Sequence, residues 1–129
     1  MDNNDKKPTF AIVLQAYRSR LGLSMRKFSE KIGVSAMYIS SLEYGRYPAP
    51  ENEVLDNIVK GLHLSPQEER EVYDIAASER GDTAIAQDTR EYIRENPIVV
   101  RALRTAKDGG YGLAEWERFI EECEKKNKQ

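Results

Sequence analysis

The chain has 129 residues, 40% hydrophobic and 33% charged, a balance that suits a helix-rich protein of one or two small domains. A single cysteine, Cys123, excludes an intrachain disulfide and any multi-cysteine zinc site, and a single histidine, His63, leaves little room for His-based catalysis. The formal net charge of −2 argues against a uniformly basic nucleic-acid binder, so the placement of charge along the chain has to decide.

Residues 1–8, MDNNDKKP, show no periodicity and are expected to be disordered. An arm reaching a polyanion through Lys6 and Lys7 is the alternative, opposed by Asp2 and Asp5. The stretch lacks the apolar core of a signal peptide, and no apolar run approaches the length of a membrane span. A cytoplasmic location is therefore expected. A first helix is predicted over Pro8–Gly22, capped by Thr9, with Phe10, Val13, Leu14, Tyr17 and Leu21 on its apolar stripe. Gly22 ends it.

Ser24 opens a second helix, because its hydroxyl can accept an orphan amide of the first turn. Phe28 and Ile32 fall four apart and share a face. Gly33 supplies the left-handed backbone that stops the helix, and Val34 fills the turn. Ser35 caps a third helix that carries Ile39 and Leu42 inward and stops at Gly45. Two helices this short and this tightly joined need further helices behind them. Their outward face is left free, and it is narrow enough for a DNA major groove.

Two prolines make Tyr47-Pro48-Ala49-Pro50 a loop. A fourth helix is predicted over Glu51–Gly61, with Val54, Leu55, Ile58, Val59 and Leu62 facing the core, and His63 as a boundary residue. Ser65-Pro66-Gln67-Glu68 combines a cap, a proline at the first helical position and a glutamate at the third. It starts a fifth helix carrying Val72, Tyr73, Ile75 and Ala76 to about Glu79, and Arg80-Gly81-Asp82 breaks it. Three further helices are expected. The first runs from about Asp82 to Glu95 with Ile85, Tyr92 and Ile93. The second runs from Asn96-Pro97 to Lys107 with Ile98, Val99, Ala102, Leu103 and Ala106. The third runs from Leu113 to Glu124. Asp108-Gly109-Gly110 separates the last two, and the end of the chain is polar. No strand pattern competes, so the fold class is all-α.

The segment Leu21-Gly22-Leu23-Ser24, Gly33-Val34-Ser35, Tyr38-Ile39-Ser40, Leu42-Glu43 and Gly45-Arg46 resembles the helix-turn-helix of phage-repressor-like regulators of the Cro/C1 or XRE type. The resemblance covers residues 9–63. It implies a helix-turn-helix DNA-binding domain; the helix pattern closes this domain with the fifth helix, placing it at 9–79, and leaves a small helical C-terminal region at 82–125 that the resemblance does not cover. It also implies that Arg18 pairs with Glu43 and ties the first helix to the recognition helix; two solvated charges are the alternative. By position, the base-edge contacts implied are Ser35, Ala36, Met37, Ser40 and Ser41. None of these is an Arg, Asn or Gln, so bidentate readers of guanine and adenine are missing. Modest discrimination is expected, through thymine methyls, single or water-mediated bonds and DNA shape.

Phosphate contacts are assigned to Met25, Arg26 and Lys27, at the start of the second helix, where helix dipole and free amides favour an anion. Tyr38, Arg46 and Tyr47 flank the recognition helix and join that set. At the position of Met25 the family often has glutamine, so one polar contact is weakened. Lys31 is a doubtful addition. Residues 9–50 hold six basic against two acidic side chains, and residues 64–129 hold 11 basic against 15 acidic. The basic charge is concentrated where phosphate contact requires it.

The last helix carries Trp116, Phe119, Ile120 and Cys123 at helical spacing, a stripe that must be buried somewhere. It folds back onto the first domain, or it packs against a second copy or another protein; a homodimer is expected because two-fold DNA readout gains from it. Cys123 reads as a small buried apolar residue, since Glu121, Glu122 and Glu124 disfavour a reactive thiolate. No P-loop, GxGxxG or GxSxG occurs, and no catalytic residue, metal or cofactor is expected. The expected function is a sequence-specific DNA-binding transcriptional regulator, a dimeric repressor. The alternative is an antitoxin-like or adaptor protein whose acidic tail binds a protein partner and whose DNA binding is autoregulatory.

Overall fold

The computed structural model describes residues 8–81 and 84–128, and the expectation of a disordered N-terminus, with its alternative of an arm through Lys6 and Lys7, falls on residues 1–7 outside them. Eight α-helices and no strand occur among the described residues: α1 (Phe10–Arg20), α2 (Met25–Ile32), α3 (Ala36–Glu43), α4 (Asn52–Gly61), α5 (Pro66–Ser78), α6 (Gln87–Glu95), α7 (Ile98–Asp108) and α8 (Leu113–Asn127). The chain divides into two compact units, Met1–Arg90 and Glu91–Gln129.

In the first unit the helix starts are set by side-chain caps. The hydroxyls of Thr9, Ser24 and Ser35 accept from the amides of Ile12, Lys27 and Tyr38 at 3.2, 3.1 and 3.0 Å. Ser65 and Glu68 form a reciprocal capping box at the start of α5. Gly33 ends α2 in the left-handed region at φ 78°. Gly45 does the same after α3, where the amides of Gly45 and Arg46 turn back onto the carbonyls of Leu42 and Ser41.

One core joins all five helices: Phe10 and Leu14 from α1, Phe28 from α2, Ile39 and Leu42 from α3, Leu55, Ile58 and Val59 from α4, Val72 and Ala76 from α5. The glycine at 61 lets α4 approach α2, since a Cβ there would lie 2.5 Å from a methyl of Ile32. Two ties hold α1 to α5. The Phe10 amide donates to Glu79 at 2.9 Å, and Arg20 makes a two-pronged pair with Glu68 at 2.7 and 2.9 Å.

The helix expected from Asp82 begins instead at Gln87, and Asp82 itself lies outside the described residues. The reason is the burial of Gln87. Its amide nitrogen donates to the Asn52 carbonyl at 2.6 Å and to Asp56 at 3.0 Å, while its oxygen accepts from the Asn52 amide. Asn52 has a left-handed φ of 57°, and Gln87 satisfies both of its backbone groups. Tyr73 completes the cluster by donating to Asp56 at 2.6 Å.

The second unit is built differently. Gly110, at φ 72°, turns α7 into α8, with the Tyr111 amide bonded to the Ala106 carbonyl. Ala106 is its one buried residue among the described positions. Cys123 is exposed within the single chain, so the burial expected of it needs a cover from outside this unit. Two helices present only one seam to each other, so the remaining apolar side of α8 has no cover within the unit.

Candidate nucleic-acid interface

The site begins with what α3 buries. Ile39, Leu42 and Glu43 face inward, and the 3.6-residue period then leaves Ala36, Met37, Ser40 and Tyr44 on the outer side. Met37 is 78% exposed, so the centre of that side is open. Ala36 and Ser40 are half-buried beside it. Ser35 is exposed, with its hydroxyl oxygen engaged as the helix cap. Ser41 does not belong to this side. It is 6% exposed, so it is withdrawn from the set of base readers.

The orientation of α3 is fixed by a salt bridge. Arg18 reaches from α1 and grips Glu43 with two prongs, Nε to Oε2 at 2.5 Å and Nη2 to Oε1 at 2.8 Å. The two side chains are 11% and 2% exposed. A third arm of the guanidinium donates to the Leu23 carbonyl at 2.7 Å, at the entry to α2. The hydrogen bond to Glu43 pushes the Arg18 pKa above its ordinary value. One guanidinium thus links α1, the approach to α2 and the end of α3.

Cations surround the open side. Arg26 and Lys27 stand exposed on the first turn of α2. Arg26 is 76% exposed and touches Glu30 only at 4.0 Å, so its charge is available. Met25 turns its thioether against the core, so what it offers an anion is its first-turn backbone amide. Arg46 is exposed beyond α3, its guanidinium 5.4 Å from the ring of Tyr44. Tyr47 is exposed and tilts against the half-buried Tyr38 with centroids 6.0 Å apart. Burial raises the Tyr38 hydroxyl pKa, so the group stays a neutral donor.

Lys31 is used elsewhere. Its ammonium donates to the Gly61 carbonyl at 3.0 Å and to His63 Nε2 at 2.6 Å, closing the end of α4. The bond fixes His63 as an acceptor at Nε2. Tyr44 is the residue that sequence reasoning missed. It is 69% exposed and extends the Ala36–Ser40 line by one further turn. The signal was its spacing: it follows Ser40 by four and precedes the helix-stopping Gly45.

In the second unit, Trp116 is half-buried between Tyr111 and Phe119, whose rings meet it edge-on at 5.4 and 5.8 Å. Phe119 and Ile120 are about half exposed. Among the described residues, no group of three or more His, Cys, Asp or Glu is placed to hold a metal ion. No described helix is long and apolar enough to cross a membrane.

Comparison with known protein families agrees with this geometry over the first unit. A family model described as a helix-turn-helix domain matches residues 9–72. No curated protein matches the chain. Among solved structures, the chain is similar to the clp gene regulator ClgR from C. glutamicum at 26% identity and a TM-score of 0.45. That similarity covers 60% of this chain and all of that one. A helix-turn-helix domain makes DNA the expected partner and control of transcription the expected role. Residues 9–72, with the α2–turn–α3 motif at their centre, are thus an XRE-like helix-turn-helix domain.

Proposed function

We propose that the protein is a sequence-specific, DNA-binding transcriptional repressor that acts as a homodimer and lays the Ser35–Glu43 helix in the major groove. The observation that carries this reading is the open side of α3, with Met37 fully presented and the cations Arg26, Lys27 and Arg46 around it. A duplex presents phosphates on both sides of its groove, so a central apolar contact with flanking cations suits it. Met37 and Ala36 read thymine methyls, Ser35 and Ser40 make single or water-mediated bonds, and Tyr44 reaches the groove edge. The cations and the first-turn amides of α2 grip the strands.

Selection of bound sequences from random DNA tests the proposal. Enrichment of a two-fold repeat with half-sites about one helical turn apart is the expected outcome. No enrichment at all would overturn sequence-specific binding. Arg26→Ala should weaken binding to every sequence and lower the salt slope by about one unit. Met37→Ala should instead change the preference at particular bases.

A second reading has its own support. The aromatic side of α8 is uncovered within its unit and five glutamates lie along that helix, which suits an antitoxin-like or adaptor protein with a basic partner. A stable basic protein that co-purifies stoichiometrically and lifts autoregulatory DNA binding would favour it.

A further inference from the structure

The second unit leaves an open groove of about 780 Å³ between α7 and α8, lined by Ile98, Ala102, Leu103, Trp116, Phe119 and Cys123 among others. Its apolar walls face solvent: Ile98 is 65% exposed, Leu103 46% and Phe119 52%. A patch of this kind calls for a cover. The charge on the two helices says which one. Ile98–Asp108 carries Arg101, Arg104 and Lys107 against Asp108 alone. Leu113–Asn127 carries Glu115, Glu117, Glu121, Glu122 and Glu124 against Arg118, Lys125 and Lys126. One helix of the hairpin is basic and the other acidic.

From this we infer that the groove is filled by the same hairpin of a second copy, with α7 of each chain lying on α8 of the other in a four-helix bundle. The inference rests on the dimeric reading above and supplies its interface. A two-fold axis repeats every contact, so a basic helix over an acidic one is matched twice. The opposite arrangement, α7 on α7 and α8 on α8, sets like charges against each other twice. Small residues help the approach, because Ala102 and Ala106 leave the α7 wall shallow where the Phe119 ring of the second copy enters. The face is about 22 Å long, from 15 residues of α8, and two helices wide at about 20 Å, the scale of one side of a small isologous dimer.

The rim residues follow from spacing. Arg101 lies one turn after Ile98 and lines the groove, and Glu122 lies one turn after Phe119. Among the described residues neither side chain has an ion-pair partner within its own chain. In the bundle, Arg101 of one copy meets Glu122 of the other.

The test is sedimentation of the full-length chain with single variants and their mixture. Arg101→Glu and Glu122→Lys should each raise the dimer dissociation constant at least about tenfold, because each places two like-charge contacts across the axis. Both are exposed positions, and retained helicity by circular dichroism shows that the fold is intact. Mixing the two variants should restore dimerisation. In the heterodimer the two introduced charges, opposite in sign, face each other at one end of the bundle, and the native Arg101–Glu122 pair re-forms at the other. An intrachain contact predicts no such rescue. A dimer that neither variant weakens, or that mixing fails to restore, would overturn this interface and leave the dimeric reading standing. A wild-type chain that sediments only as monomer at operator-binding concentration would overturn both.

Discussion

The two units solve the same problem, burying one apolar side of each helix, with opposite outcomes. In the first, five helices surround Phe28, Leu14, Ile39 and Leu55, and each of these is at most 1% exposed. In the second, Phe119 and Ile120 lie on an equally periodic stripe and remain about half exposed. Periodicity is alike in both, and the number of packing layers differs. A helix-turn-helix closed by α1, α4 and α5 is complete within one chain, so its outer side is free for a ligand. A two-helix hairpin has no inner side to close, so its apolar face stays uncovered within its unit.

The contrast can be attacked from either end, beginning with the largest effect. Removing half of the buried pair, Glu43→Ala, strands the Arg18 guanidinium and should cost the first unit about 3–5 kcal/mol in denaturant unfolding. Operator affinity should fall with it because α3 loses its anchor. If Glu43→Ala unfolded like wild type, the pair would not be what fixes the recognition helix. In the second unit Phe119→Asp should raise the dimer dissociation constant about a hundredfold and leave the melting of the first unit unchanged. Equal damage to both units would show that the hairpin face is covered within the chain.

Smaller effects test the joints. Gln87→Ala leaves the amide and carbonyl of Asn52 without their partner and should cost about 1–3 kcal/mol. Hydrogen exchange at the start of α4 should then accelerate. The smallest effect is the pH dependence of the Arg20–Glu68 tie. Its hydrogen bond to Arg20, and then the Ser65 amide, lower the Glu68 pKa from 4.5 to about 2. A carboxyl that titrates lower folded than unfolded stabilises fully above its unfolded value and loses that contribution as pH falls through the folded one. The α1–α5 contact should therefore loosen between about pH 4.5 and 2, and less in Glu68→Gln, whose charge is already gone. The pair is solvent-exposed, so added salt should shrink the effect.

Much of the first unit was legible because its signals are local. Ser24, Ser35 and Ser65 mark helix starts, Gly33 and Gly45 mark stops, and the Phe28–Ile32 and Ile39–Leu42 spacings mark inner faces. Ser41 shows where local reasoning fails. Position in a resembled motif placed it outward, yet it is only 6% exposed in the folded unit, where the Arg46 amide closes onto its carbonyl at 2.9 Å. Lys31, doubtful from the sequence, is settled only by contact: the carbonyl of Gly61, thirty residues on, accepts from it at 3.0 Å.

The sequence by itself determined the all-helical class, most of the helix boundaries and the motif, because caps, stops and the 3.6-residue period act within a few residues of one another. Only the tertiary structure decided that Gln87 latches the backbone of Asn52, that Glu79 receives the Phe10 amide, and that the α8 aromatics lack a cover in their own unit. Each of these joins residues that chain periodicity does not relate, and contacts of that kind exist only once helices have been placed against one another.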